Sequence, residues 1–218
     1  MRRIGTGWLL GALIVSAPDL AGQKVQPPLP GSEECANCHD SGRRTGKREP
    51  GVPQPFDQAA LRASPHAALE CAACHTGVDV KKLPHAEKLE RVACGNCHPD
   101  QQTQHSESLH GKATGKGDAL APSCSTCHGA HNVLARSAPR SPISTMEIPR
   151  LCGRCHREGS DVSRTHAIPQ ENILGNYMDS IHGEGLFKRG LTVTAVCTSC
   201  HTSHFALPHT DPRSSISK

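Results

Sequence analysis

The sequence predicts a mainly α-helical protein with extensive irregular loops and little or no sheet. Aromatic residues make up only 2% of the 218 residues, so large side chains that could anchor an ordinary core are scarce. The 20 Gly and 17 Pro shorten helices and favour turns, and all 12 Cys occur in closely spaced pairs. A chain with so little core needs bound groups or covalent links to hold it together, and we expect these at the Cys pairs.

The amino terminus has the three parts of a secretory signal peptide. Arg2 and Arg3 form a short positive region, residues 8–15 are mostly apolar, and residues 16–22 are mostly small. The apolar region is far shorter than the roughly 20 residues that span a bilayer. We therefore expect residues 1–22 to be removed during export. The mature chain should be periplasmic or extracellular, with no membrane span.

The 12 Cys all belong to one motif, the pentad C-x-x-C-H, which occurs six times. Two thiols at this spacing can add to the two vinyl groups of one porphyrin, and the adjacent His then binds the iron from one side. The pentads predict twelve attachment residues: Cys35, Cys38, Cys71, Cys74, Cys94, Cys97, Cys124, Cys127, Cys152, Cys155, Cys197 and Cys200. They predict six proximal ligands: His39, His75, His98, His128, His156 and His201.

Three other chemistries use paired Cys, but none of them requires the His. Disulfide frameworks place no demand on the residue after the second Cys. Zinc ribbons build four-thiolate sites, and thioredoxin-like centres carry a single motif on a strand–helix unit. The sequence therefore predicts six covalently attached haem c groups. These apolar plates would supply the interior that the side chains lack, with the polypeptide wrapped around the haem stack.

The net charge gives no support for nucleic-acid binding. The formal value of +4 falls to +3 when Arg2, Arg3 and Asp19 leave with the signal peptide. Each ferric haem with ionised propionates adds roughly one negative charge, which brings the oxidised protein to about −3. We expect no nucleic-acid partner.

An internal repeat divides the mature chain. Its elements are S-x-H-G, a pentad extended to C-x-x-C-H-x-x-H, and P-R-S, and the second copy follows the first at an offset of 72 residues before the pentad and 73 after it. A divergent echo, Ser64-Pro65-His66-Ala67, precedes Cys71. We expect an amino-terminal three-haem region at residues 23–107, a two-haem module at 108–179 and a second, apparently incomplete module at 180–218.

The pentads, S-x-H-G, C-x-x-C-H-x-x-H and P-R-S-x-I-S together resemble the bacterial multihaem cytochrome c family with paired C-x-x-C-H motifs. The resemblance covers essentially the whole mature chain and is strongest from Ser108 onward. It implies haems with two His ligands in close-packed pairs, which serve as electron conduits in anaerobic or metal-linked respiration.

Each iron needs a second axial ligand from outside its own pentad. His110 and His182 occupy equivalent positions before a pentad, and His131 and His204 equivalent positions after one. His131 and His204 lie too close in sequence to their own proximal His to reach the opposite face, so each should serve a neighbouring haem. The candidate distal ligands are His66, His85, His110, His131, His166, His182 and His204, whereas His105 and His209 are expected on the surface. Only Met146 and Met178 could give His/Met ligation.

The main hypothesis for function is a non-enzymatic electron carrier with redox partner proteins. The alternative is a multihaem reductase for nitrogen or sulfur oxyanions, which needs an iron with an open coordination position. A third hypothesis is an electron-donating subunit that connects a partner enzyme, such as a terminal reductase, to a membrane quinol oxidase. The pentads all end in His, which favours the carrier.

The repeat also predicts that this chain is the front part of a longer protein. In the first copy a pentad begins at Cys152, and the 73-residue offset would place its counterpart near position 225, beyond Lys218. Sequencing the gene past the codon for Lys218 tests this. We expect an in-frame C-x-x-C-H within about ten codons, by the repeat period, and a stop codon directly after Lys218 would refute it.

Overall fold

The computed structural model describes residues 31, 33–39, 56–86, 89–170 and 172–218. The predicted signal peptide lies outside these residues. The described chain is mainly helical and contains no sheet, which confirms the predicted class. The helices are α1 (Glu33–His39), α2 (Gln58–Arg62), α3 (Cys71–Cys74), α4 (Pro99–Glu107), α5 (Leu109–Gly115), α6 (Cys124–His128), α7 (Ile148–Gly153), α8 (Asp161–Thr165), α9 (Ile173–Met178), α10 (Ile181–Arg189) and α11 (Cys197–His201).

Every pentad lies on or at the end of a helical turn. Helices α1, α3, α6 and α11 are built from pentad residues, α7 runs into a pentad, and the pentad at Cys94 begins with a 3₁₀ turn (Cys94–Asn96). Residues three positions apart lie on the same face of a helix. The two thiols of each pentad are therefore presented to one side, as attachment to a single planar group requires.

The S-x-H-G element starts a helix and fixes the His at its first turn. Gly111 donates its N–H to Ser108 Oγ at 3.0 Å at the start of α5, and Gly183 donates to Ser180 Oγ at 3.2 Å at the start of α10. A Cβ on Gly111 would lie 1.8 Å from the His105 carbonyl oxygen. The Gly is therefore needed because the new helix passes close to the end of the preceding one.

The P-R-S element closes the loop that follows a repeat's first pentad. The Ser141 hydroxyl donates to the Leu134 carbonyl at 3.4 Å, and the Ser214 hydroxyl donates to the Leu207 carbonyl at 3.2 Å. Both Ser side chains are buried. The two copies thus use the same side-chain bond to fold back the chain that carries His131 or His204.

Apolar side chains form only a small core. In the described part of the chain the buried apolar residues are Ala36, Phe56, Ile148, Leu186, Val196 and Leu207. Ile148, Leu186 and Val196 form one cluster, and partly buried residues that include Cys152 and Cys197 pack against it. This core lies between α7, α10 and α11, so it joins the pentad at Cys152 to the pentad at Cys197.

The second copy of the repeat packs against the first. We call residues 202–213 the docked segment and Glu107, Ser108 and Leu109 the α4–α5 junction. Leu109 donates its N–H to the Ala206 carbonyl at 3.0 Å, and Arg213 pairs with Glu107 at 3.0 Å. The docked segment therefore lies across the start of α5. None of the helices in the described ranges is long and apolar enough to cross a membrane.

Replacement of Gly111 by Ala should destabilise the protein by about 1–3 kcal/mol, because its Cβ would clash with backbone that cannot move freely. Gly115, in the same helix, has nothing within 4 Å of an added Cβ. Gly115→Ala is the matched control and should be neutral or stabilise by up to about 1 kcal/mol. Denaturant unfolding of both variants measures the difference, and equal stability of the two would contradict the close approach.

Candidate functional site

Five of the six pentad His rings face a second His ring at nearly the same distance. The ring centroids are 5.8 Å apart for His39 and His85, 6.1 Å for His66 and His98, 6.0 Å for His75 and His131, 6.1 Å for His110 and His156, and 6.0 Å for His128 and His204. Each pair joins one pentad His to one His outside the pentads. No pair consists of two pentad His or of two His from outside the pentads.

The geometry of these pairs fits axial ligation of one metal ion better than aromatic stacking. Ordinary aromatic pairs spread over about 4.5–7 Å, whereas two imidazoles that bind one ion from opposite sides, each at about 2 Å, have centroids roughly 6 Å apart. The interplanar angles range from 5° to 61°. Rotation about the ligand–metal axis leaves the distance unchanged, so a fixed distance with variable angles is expected for axial ligands.

The S-x-H residue before a pentad and the C-H-x-x-H residue after a pentad face different pentad His. We call the first pentad of each repeat copy the A pentad (at Cys71, Cys124 and Cys197) and the second the B pentad (at Cys94 and Cys152). B-pentad His rings face the S-x-H residue of their own copy, as in His110 with His156. The A-pentad His rings of the first two copies, His75 and His128, face the C-H-x-x-H residue of the next copy, as in His128 with His204. Consecutive copies are therefore linked by their A pairs.

Phe56 supports two neighbouring pairs at the amino-terminal end. Its ring centroid lies 5.5 Å from that of His131, and its N–H donates to the His39 carbonyl at 2.7 Å. The side chain is buried. The sequence analysis did not single out Phe56, although the scarcity of aromatic residues was a signal that each one has a specific place.

Burial favours the neutral form of six of the ten paired imidazoles. It is the largest cause that lowers the pKa of His110, and the neighbouring His156 and His105 lower this pKa further. The same cause, with other His as neighbours, lowers the pKa of His75, His128, His131, His156 and His204. Neutral imidazole is the form that binds a metal, so these rings are prepared to act as ligands near neutral pH.

Thiols of consecutive pentads interact along the whole chain. Burial, followed by the electrostatic effect of Cys35 and a hydrogen bond with it, raises the pKa of Cys71 to about 11. Burial and Cys94 raise the pKa of Cys124 in the same way. Cys152 hydrogen-bonds with Cys197, which together with burial raises the pKa of Cys152. The remaining two steps are electrostatic contacts, Cys74 with Cys94 and Cys127 with Cys155. The 12 Cys form no disulfide.

Five His take no part in the pairs, and all fifteen His of the sequence lie within the described ranges. His166 Nε2 donates to the Asp118 carboxylate at 2.7 Å, and His182 lies 3.4 Å from the Thr194 hydroxyl. The structure brings neither of these two distal candidates to a pentad His. His105 is half-buried and contacts the Pro122 carbonyl at 3.1 Å, and His209 is exposed. His201 is exposed and has no ring against it among the described residues.

The residues present fit a covalently attached porphyrin. A porphyrin supplies four equatorial ligands and leaves two axial positions, and the chain offers pairs of imidazoles, one of each pair beside two free thiols. Within the described ranges no group of three or more His, Cys, Asp or Glu is arranged to hold a metal ion. Comparison with family models, curated proteins and solved structures finds no match.

Proposed function

We propose that this chain is an exported multihaem c-type cytochrome that carries electrons through six covalent haems, most of them with two His ligands. The observation that supports this best is the set of five His pairs, each with one pentad His, at 5.8–6.1 Å. A protein whose His served other purposes would have no reason to repeat this separation five times at different angles. The proposal places the protein in the periplasm or outside the cell, in line with the signal peptide that the sequence predicts.

The residues divide the work of holding the cofactor. The pentad thiols would carry the thioether bonds, the pentad His would bind one side of each iron, and His66, His85, His110, His131 and His204 would bind the other. When bound, each haem supplies reversible one-electron exchange at its iron. The two neutral imidazoles of each pair would hold the iron in both oxidation states, so the residues around it would need little rearrangement.

The order of the pentads supports a conduit rather than six separate sites. Sequence neighbours are also spatial neighbours at each of the five steps, from the Cys35–Cys71 contact to the Cys152–Cys197 contact. Electrons could therefore pass along the chain in sequence order. Redox partner proteins would exchange electrons at exposed sites, and a membrane quinol oxidase or terminal reductase is a suitable class of partner.

The ligand set points to low reduction potentials. A Met ligand raises the potential of a haem relative to His, but Met146 packs against the small core of Ile148, Leu186 and Val196. Met178 is 46% exposed. With His opposite His in five pairs, most of the haems should have the potentials of bis-His cytochromes, which suits transfer in anaerobic respiration.

A reductase remains the second candidate because one pentad His stands alone. His201 faces no second ring in the described residues, so an iron bound there could take a substrate such as nitrite or sulfite. The carrier is favoured because all six pentads end in His, with no substituted proximal ligand of the kind that a multihaem reductase can carry at its open iron. Turnover assays with nitrite and sulfite distinguish the two functions.

The mature protein should gain the mass of six haems when it is produced with the haem-attachment machinery, because each pentad offers two thiols and a His. Replacement of both Cys124 and Cys127 by Ser should reduce the gain to five. The control Ser125→Ala, within the same pentad, should retain six. Intact-protein mass spectrometry measures all three, and six haems on the double Cys variant would contradict attachment through these thiols.

Replacement of His110 by Ala should convert one haem from low spin to high spin without loss of its covalent attachment, because His156 would then lack its opposite ligand. His105→Ala is the matched control, since His105 is half-buried nearby but faces a backbone carbonyl. EPR of the oxidised proteins measures the change. An unchanged spectrum for His110→Ala, or an equal change for His105→Ala, would overturn the assigned pair.

A further inference from the structure

The α9–α10 junction, formed by Asp179, Ser180 and Ile181, is the second copy of the α4–α5 junction. The 72-residue offset places Asp179 at the position of Glu107, Ser180 at that of Ser108 and Ile181 at that of Leu109. Both junctions begin with an acidic residue and continue with the Ser that caps the next helix. The two surfaces therefore have the same chemistry and the same backbone direction.

The first junction shows what covers such a surface. The docked segment accepts the Leu109 N–H at Ala206 and forms an ion pair between Arg213 and Glu107. Thr202 and Phe205 of the segment face Thr103 and Gln104 of α4 across a shallow cleft. This docking carries His204 to a ring separation of 6.0 Å from His128.

The second junction has the same features, but no distant segment of the described chain is bonded to it as the docked segment is to the first, and the electrostatic neighbour of Asp179 is Lys188 of α10 itself. Ile181 is 82% exposed, against 50% for Leu109. Its N–H, at the first position of α10, has no acceptor in the described ranges. His201, the A-pentad His beside this junction in the repeat, likewise has no ring opposite it. In the described residues, therefore, the Ile181 side chain is uncovered, its N–H has no acceptor, and the His201 ring has no ring opposite it.

We propose that the α9–α10 junction binds a further copy of the same repeat, whose C-H-x-x-H segment supplies the distal His to the haem held by Cys197, Cys200 and His201. The inference rests on the proposed function, since it concerns the ligation of a haem. The occupant resembles the docked segment: a His, then an apolar residue, then a carbonyl that accepts the Ile181 N–H, and a later Arg opposite Asp179. Without it, the sixth iron keeps one open axial position.

His182 is not the missing ligand. Its counterpart His110 faces the B-pentad His of its own copy, not the A-pentad His. His182 itself lies against Thr194.

The repeat provides its own probe, a synthetic peptide with the sequence of residues 202–213. Added to the oxidised 218-residue protein, this peptide should convert the single high-spin haem to low spin, as followed by EPR and visible absorption. The control peptide carries His204→Ala and keeps His209, so it contains an imidazole in the wrong position. It should have no effect at the concentration that saturates the first peptide.

A variant of the surface tests the docking contact itself. Ile181→Pro removes the N–H donor, and Pro is well tolerated at the first position of a helix. Ser180 already has φ −78° and ψ 161°, which suits a residue before Pro. We expect the variant to bind the peptide about tenfold more weakly, the loss of roughly one hydrogen bond with some apolar contact. Ile181→Leu keeps the donor and should bind normally, and free imidazole should bind all three proteins equally.

The outcomes separate this inference from the proposed function. A protein without six haems contradicts the proposed function before any peptide is added. Six haems that are all low spin in the isolated chain would overturn the inference alone, because a ligand from this chain would already occupy the sixth iron. Binding of nitrite without binding of the peptide would also overturn it, and would favour the reductase.

Discussion

In the proposed cytochrome, two imidazole rings must be held about 6 Å apart, on opposite sides of a plane, at each closed haem site. Several local features of this chain would serve that separation. Ser108 starts α5 so that His110 lies on its first turn, and Gly111 allows this turn to pass beside the His105 carbonyl. Ser214 closes the loop after His204. Such a protein would need few large apolar side chains, because the positions of the ligands, with hydrogen-bonded turns between them, would specify its structure.

The pairs also explain how the repeat becomes one structure. B pairs such as His110 with His156 close each copy on itself, whereas A pairs such as His128 with His204 join one copy to the next. Repeat proteins gain stability from contacts between neighbouring units as well as within them. Here a metal bridge would add to a small direct interface, the Leu109–Ala206 hydrogen bond and the exposed Arg213–Glu107 ion pair. An exposed ion pair of this kind contributes little by itself, so the ligand bond would carry most of the connection.

The sequence predicted the helical class and the candidate ligands, but it did not predict which His rings face each other. The abundance of Gly and Pro and the lack of aromatics predicted a mainly helical chain with little or no sheet, and the described residues are mainly helical without sheet. The repeat pointed to His110 and His131 as ligand candidates, but it could not tell which pentad each would face, because that depends on where short helices cross. His182 occupies the same repeat position as His110, and His166 was a further candidate. In the structure, however, His166 lies against Asp118 and His182 against Thr194. The close approach of Phe56 to His131 involves residues 75 positions apart in the sequence, and no local pattern predicts such a contact.

In the proposed cytochrome, the oxidation state of a haem would affect the packing of the chain differently at A pairs and at B pairs. A distal His could bind ferric and ferrous iron with different affinities. That difference in binding free energy would then change the free energy of the protein contact that holds the His in place. For a B pair this change stays within one copy of the repeat. For an A pair it acts on the interface between copies, since His204 reaches His128 only while the docked segment lies on the α4–α5 junction. In the proposed cytochrome, the oxidation state of the haem at an A pentad and the packing of the next copy would therefore be linked. The exposed start of α10 is where that linkage would extend to an added module.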